Sequence, residues 1–487
     1  MTFQIVLLAV FFALLTGIGI WGMKRTKTLG DFFLGGRKMG PWVSAFAYGT
    51  SYFSAVIFIG FAGTQGWLFG LNSLWIAAGN ALIGSMLAWI VLAKRTRRQT
   101  QNLDAMTMPG YLQERYGAKH LKPIAAVIVF LFLLPYSASI FKGLGHLFET
   151  VFHIPYDAAL ILMIAFTGVY LILGGYFAVV VIDFIQGIFM IAGALAMVSI
   201  IVSEGGGLAS FLSGVTANYN EHIQPAARPS ALTVISLVFM TSFGTWGLPQ
   251  MTQKFYAIKN VKVIPKAVIA TTLFAAIIGF SAYMVGSSAH IFFTLDSVPR
   301  GPDGRILFDL IVPTLLTEHL PEMLMALILL FVLSASMSTL SSLVMISSSS
   351  VAIDLYPVKN DPNTGKERSV AMMRFLSLLF IIVSYFISRF QISIIVYLMS
   401  LSWGAVSGSF AAPYIYGLYW KRTTKAAAYA GLIGGFVIEI TLFFILGSAR
   451  SPLTASIAIL APFIIVPVVS LFTKPPEKAL IDKAFAS

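Results

Sequence analysis

Apolar stretches of about 20 residues recur from one end of this chain to the other, and no polar interval between them is long enough to fold around its own core. That feature confines the chain to a lipid bilayer. Inside hydrocarbon every backbone amide and carbonyl must be satisfied internally, so runs of this length span as helices. Composition agrees. Of 487 residues, 58% are hydrophobic and 10% charged. A mean hydropathy of +0.86 excludes the two or three soluble domains that the length alone would allow.

The pattern predicts an all-α polytopic membrane protein with thirteen helices, at 3–23, 41–65, 70–93, 123–150, 155–175, 179–202, 230–251, 266–291, 321–351, 370–388, 391–417, 424–447 and 452–473. The basic residues support this alternation. Of 32 Lys and Arg, 26 fall on alternate connections, in 24–38, 94–122, 254–266, 359–374, 421–425 and 474–483. Under the positive-inside rule those connections are cytoplasmic, which places the N-terminus outside and the tail 474–487 inside. The formal charge of +13 therefore reads as topology, not as a nucleic-acid face. Segment 3–23 has no basic residue before it, while Lys24, Arg25 and Lys27 follow it, so it reads as a span and not as a cleaved signal. Residues 306–318 carry an apolar pattern too short to cross, which predicts a re-entrant or interfacial helix.

Cysteine is absent, which removes disulfides, thiolate metal sites and a cysteine nucleophile. The six histidines, His120, His146, His153, His222, His290 and His319, are scattered in sequence and suggest no metal-ligand set. No phosphate-binding loop of the Gly-x-x-x-x-Gly-Lys-Ser/Thr type is present. An enzyme and an ATP-driven pump are both disfavoured.

Two spans carry internal punctuation. The second contains Gly49, Thr50 and Ser51 near its centre, and the seventh runs Gly244-Thr245-Trp246-Gly247-Leu248-Pro249. Either one alone reads as an ordinary kinked or Gly-packed helix. Their matched placement, five spans apart, points instead to two broken helices in an inverted repeat, where freed backbone groups bind ion and solute at mid-membrane.

The ninth span supplies hydroxyls. Ala335, Ser338, Thr339 and Ser342 fall at i, i+3, i+4 and i+7 and share one helix face. A sodium ion must exchange its water for several oxygens, and hydroxyls facing freed carbonyls, such as those of Thr50 and Phe53, provide them. Any single Ser there equally serves close helix packing. Asp183 stands in the run 174–187 with no basic residue near it in sequence, a costly place for a carboxylate unless it faces a cavity, a cation or a free helix terminus. Glu439 lies in another apolar run and reads as structural.

With these residues in view, the chain resembles the sodium:solute symporter family, whose members include sodium/proline, sodium/pantothenate, sodium/sialic acid and sodium/glucose carriers. The resemblance rests on Asp31-Phe32-Phe33-Leu34-Gly35-Gly36-Arg37, on the segment from Gly174 to Gln186 with its Asp183, and on Met337-Ser338-Thr339-Leu340-Ser341. It implies a five-plus-five inverted-repeat fold within one membrane transport domain. The first repeat is expected at 41–202 and the second at 230–417, with an extra helix at 3–23 and C-terminal helices at 424–473. It also implies a main sodium site made of the carbonyls of Thr50, Phe53 and Ala335 with the hydroxyls of Ser338 and Thr339. A second sodium is expected among Asp183, Ser338, Ser341 and Ser342, and a solute pocket among Tyr52, Ser54, Trp246 and Gln250. Proline carriers of the family have an acidic residue at the position of Tyr52 and an aromatic one at that of Thr245, whereas Gly247-Leu248-Pro249 and Ile311-Val312-Pro313-Thr314-Leu315 look more like the pantothenate branch.

The function expected is therefore secondary active symport by alternating access. Sodium is the coupling ion, and the imported solute is small, organic and carboxylate-bearing, since amides freed at a helix break favour an anion. The bilayer is the one further partner expected; neither nucleic acid nor an obligate protein partner is. Proton coupling on the same fold is the near alternative, and an uncoupled channel the distant one.

Overall fold

The computed structural model describes residues 2–25, 33–356, 365–391 and 393–486. Asp31 and Phe32, the first two residues of the 31–37 motif, lie outside them. Helices build nearly everything described, with two isolated bridges, Met39 with Ile258 and Arg300 with Ile306. In chain order the helices used below are α1 (Thr2–Arg25), α2 (Pro41–Tyr52), α3 (Ala62–Phe69), α4 (Met108–Tyr116), α5 (Leu121–Phe152), α6 (Tyr156–Glu204), α7 (Leu208–His222) and α8 (Ala231–Phe243). They continue with α9 (Pro249–Ala257), α10 (Ile264–Ser287), α11 (Phe308–His319), α12 (Glu322–Ser349), α13 (Gly365–Arg389), α14 (Ile395–Tyr419), α15 (Lys425–Leu446), α16 (Ser451–Phe472) and α17 (Lys478–Ala484).

Among the described residues ten helices are long and apolar enough to cross a membrane, and Val6–Gly22 and Tyr156–Ala165 are shorter apolar helices. The expected thirteen are not matched one for one, because helix runs through some of the expected gaps. Segments 155–175 and 179–202 form the single helix α6, whose 49 residues extend about 74 Å, more than twice the hydrocarbon thickness. The stretch between them carries no proline and no polar run, so its backbone keeps its internal hydrogen bonds. The second and third expected helices do part, at Gly70, whose φ of 55° suits glycine and whose Cα faces the Tyr219 ring.

Burial places α12 at the centre. The most apolar window of segment Leu324–Leu355 is 89% buried, against 22% for α15, so α12 is enclosed by protein and α15 faces lipid. The interrupted helix α2 packs on α6, α9, α10 and α12, while α14, α15 and α16 pack on one another beside it.

Both ends of the bundle are closed by short helices. Helix α11 takes the place of the expected 306–318 segment, and Gly63 lets α3 press against the Phe308 carbonyl. At the basic end, the fully buried Arg115 of α4 donates from Nε to the Gly417 carbonyl at 2.9 Å and from Nη2 to that of Trp420 at 3.2 Å. These bonds satisfy carbonyls at the C-terminus of α14 that have no partner within the helix. The terminal helix α17 packs on α4, and Asn102 reaches the Ala484 and Ala486 carbonyls.

Candidate ion and solute site

Two helices are interrupted, close to where the punctuation lies. Helix α2 ends at Tyr52, and Phe53 is extended at φ −107° and ψ 123°. The second break is a 3-10 turn at Gly244–Gly247 followed by Leu248, at φ −83° and ψ 123°. Helix resumes with Pro249 at its first position, where a missing amide costs nothing. Gly49, by contrast, stays helical. Its carbonyl accepts the last bond of α2 from Phe53 N, and its lack of a side chain admits the Phe274 ring. The Tyr52 hydroxyl donates to the Thr241 carbonyl at 2.6 Å, joining the first break to the helix that leads into the second.

Four of the five groups named for the main ion site, the Thr50 and Ala335 carbonyls and the Ser338 and Thr339 hydroxyls, meet beside the first break. The Ser338 hydroxyl lies 2.9 Å from the Thr50 carbonyl and 3.0 Å from that of Ala335. The Thr339 hydroxyl lies 3.0 Å from the Thr50 carbonyl, 3.1 Å from that of Ala335 and 3.4 Å from that of Ser51. Each hydroxyl carries a single proton, so these carbonyls outnumber the protons available to them. Phe53, the other carbonyl that the sequence proposed, is buried at the break three residues after Thr50. A neighbouring hydroxyl, Ser336, accepts from Ala55 N at 3.1 Å and so fastens α12 to the far side of the break.

Asp183 has a partner that the sequence reading did not supply. Lys254 Nζ, from α9, lies 3.7 Å from Asp183 Oδ2, and both side chains are buried. In sequence Lys254 falls with the basic residues of connection 254–266; in the fold it belongs to the interior. Its ammonium donates to Ser342 Oγ at 3.1 Å and stands over the Tyr176 ring at 5.4 Å. Ser342 Oγ in turn lies 2.9 Å from Ser51 Oγ, whereas Ser341 Oγ donates back to the Ser338 carbonyl at 2.8 Å.

A small cavity of about 20 Å³ opens at the first break, lined by Tyr52, Ser54, Asn80, Tyr136, Tyr283 and Trp403 among others. Two of the four expected solute contacts, Tyr52 and Ser54, are therefore here. Trp246 and Gln250 are not among its lining residues. Trp246 donates from Nε1 to the Ile83 carbonyl at 3.0 Å and packs on Phe243, while Gln250 is buried on α9. The sequence reading missed Tyr136, Tyr283 and Trp403, which sit singly in apolar helices without any motif. A larger cavity of about 1020 Å³ lies elsewhere, between Trp75, Tyr219, Arg228 and Ile235. The histidines are less scattered than their spacing implied, since His222 Nδ1 and His290 Nδ1 approach to 3.1 Å beside Trp67. Among the described residues no group of three His, Cys, Asp or Glu is placed to hold a metal.

The sequence profile of the sodium:solute symporter family matches residues 32–435. The chain belongs to that family. As a member it is a multi-pass, sodium-coupled symporter of a small organic solute, with sodium as co-substrate. The sodium/proline symporter of Staphylococcus aureus is 31% identical over 451 residues, covering 89% of this chain and 85% of that one. A sodium-coupled sialic acid symporter, solved substrate-bound and outward-open, aligns over 98% of this chain and 99% of its own at a TM-score of 0.79 and 17% identity. A nucleobase-cation-symport-1 family transporter in a closed conformation aligns over 93% and 97% at 0.54 and 14%. At these identities the two solved structures bear on the fold alone, and both are transporters.

Proposed function

We propose that this symporter binds its sodium between the carbonyls of Thr50, Phe53 and Ala335 and the hydroxyls of Ser338 and Thr339, and takes up its solute next to Tyr52, where the aromatic cavity of about 20 Å³, room for a single water, widens to admit it. The observation that carries the ion site is the meeting of both hydroxyls on the Thr50 carbonyl, at 2.9 and 3.0 Å. Sodium there takes the place of these hydrogen bonds, the hydroxyls turning their protons away and coordinating through oxygen lone pairs. The Thr50 and Phe53 carbonyls come from the end of α2 and the break after it, and the Ala335 carbonyl and both hydroxyls from α12. An ion held between them draws an interrupted helix of repeat 41–202 onto a continuous one of repeat 230–417, and its departure releases them for the opposite orientation.

The solute is a small amino acid or related organic acid. Supporting this, the Tyr136 and Tyr283 hydroxyls and the Trp403 indole N–H are neutral donors on the cavity wall, where the described lining residues carry no charge, while the Tyr52 proton is held by the Thr241 carbonyl. The freed amides just beyond the break are already engaged, Ala55 N by Ser336, and Val56 N and Ile57 N by Ser54. A carboxylate therefore meets side-chain donors, or displaces Ser54 from the backbone. The similarity to a sodium/proline symporter supports the same solute class. The crowding of basic residues on alternate connections supports a cytoplasmic C-terminus and an outside N-terminus.

A thermal-shift screen of the purified protein against amino acids and small carboxylates, in sodium and in potassium, tests both ligands together. A ligand that binds only the native state raises its stability. A solute whose stabilisation appears in sodium alone is expected, and equal stabilisation in potassium would remove the ion site. One observation favours a proton-coupled reading. Glu439 is fully buried and forms no ion pair among the described residues, with one oxygen accepting from Thr454 at 3.3 Å. Uptake driven by a pH gradient in the absence of sodium would support that reading.

A further inference from the structure

The resemblance assigns a second sodium to Asp183, Ser338, Ser341 and Ser342, but the fold brings another cation to that place. Lys254 follows the second break by about a turn and a half of helix, so the break itself sets where its side chain enters the core. There it is 1% exposed and pairs with Asp183, which is 0% exposed. Its Nζ donates to Ser342 Oγ, and Ser341 Oγ is turned back onto its own helix. Of the three hydroxyls in the set, Ser342 is the ammonium's acceptor, Ser341 is engaged with backbone and Ser338 meets the Thr50 and Ala335 carbonyls of the main site, while the carboxylate already faces a positive charge. The Tyr176 ring beneath Nζ adds a further surface that favours a cation. A sodium added here would leave an uncompensated positive charge in the protein interior, where an unpaired charge is least tolerated.

We propose that Lys254 is a tethered cation standing where a second sodium would bind, so that this carrier moves one sodium with each solute. The proposal rests on the main site at Thr50 and Ser338, which remains the one exchangeable cation site. Ser342 links the two, accepting from Lys254 and lying 2.9 Å from Ser51 Oγ, next in sequence to Thr50. The fixed ammonium thereby buttresses the end of α2 that a mobile ion would otherwise hold. A carrier so built forgoes the second charge moved inward, and with it about fortyfold of accumulation per 100 mV.

Equilibrium binding of radioactive sodium to the purified protein counts the sites directly, with no solute needed. The wild type is expected to bind one ion per chain, and two would overturn the proposal. Lys254→Gln leaves Asp183 without its partner and is expected to bind two. Lys254→Arg should stay at one, and Lys254→Gln with Asp183→Asn should return to one. A folded Lys254→Gln that still binds one ion would also overturn the proposal, and if that variant does not survive purification the wild-type count decides. Failure of the underlying site looks different. Ser338→Ala with Thr339→Ala should bind none, whereas a wild type that binds none would remove the main site and this proposal with it.

Discussion

Lys142 Nζ lies 2.7 Å from Asp309 Oδ2, with both side chains buried, and so ties α5 to the short helix α11. The same carboxylate oxygen accepts from Ile395 N at 3.3 Å, and Lys142 also donates to the Ser393 carbonyl at 3.0 Å, which brings the start of α14 into the joint. Removing one partner strands a buried charge, which costs about 3–5 kcal/mol, whereas replacing both with apolar groups of similar volume is close to neutral. Asp309→Asn should therefore lower the melting temperature in detergent sharply, while Lys142→Met with Asp309→Leu should recover most of it. An unchanged melt for the single variant would mean that the pair contributes nothing to stability.

Sodium affinity should fall when one hydroxyl is removed from the main site. Ser338→Ala deletes one ligand oxygen, a loss of about 2 kcal/mol, or roughly 30-fold in the sodium dissociation constant. Sodium titration followed by tryptophan fluorescence reads this shift directly. Combined with Thr339→Ala, no sodium-dependent signal should remain.

Tyr52→Phe should separate the two ligands. It removes the hydroxyl that lines the cavity and holds the Thr241 carbonyl, for a cost of about 1 kcal/mol and roughly fivefold in solute KM. The sodium dissociation constant measured without solute should be unchanged, because the Thr50 carbonyl is left in place. A matching loss in both would place Tyr52 in the ion site instead.

A methyl group at Gly286 should wedge the bundle open. The backbones of α3 and α10 touch at Gly66 and Gly286, and a Cβ at Gly286 would fall on the Ala62 carbonyl. Gly286→Ala must push the two helices apart, at a cost of about 1–3 kcal/mol. Solute uptake should drop while equilibrium sodium binding persists, since no ion ligand lies at this contact. Full uptake by this variant would show that the close approach is dispensable.

Much of the fold is legible in the sequence because a membrane leaves few choices. Apolar length marks a span, and the proline at 249 behind Gly244 and Gly247 marks a break within four residues of where Leu248 leaves the helix. Gly49 misleads, because a glycine inside a bilayer helix serves packing as readily as bending. Here it receives Phe274, and the break comes at Phe53, which carries no signal of its own. The hydroxyl ladder of α12 is readable from its helical period. The Asp183 and Lys254 pair is not, since only the folded chain brings α6 against the segment after the second break. Tyr136, Tyr283 and Trp403 are hidden for another reason: an aromatic residue in an apolar span looks the same whether it meets lipid, protein or solute.

A single residue, Ser51, separates Thr50, with its carbonyl, from Tyr52, with its ring, and all three sit on the last turn of α2. A ligand that immobilises either Thr50 or Tyr52 fixes the dihedral angles through which the other is presented. The ordering entropy of that turn is thus spent by whichever ligand arrives first. By thermodynamic reciprocity, the factor by which sodium tightens the hold on solute equals the factor by which solute tightens the hold on sodium.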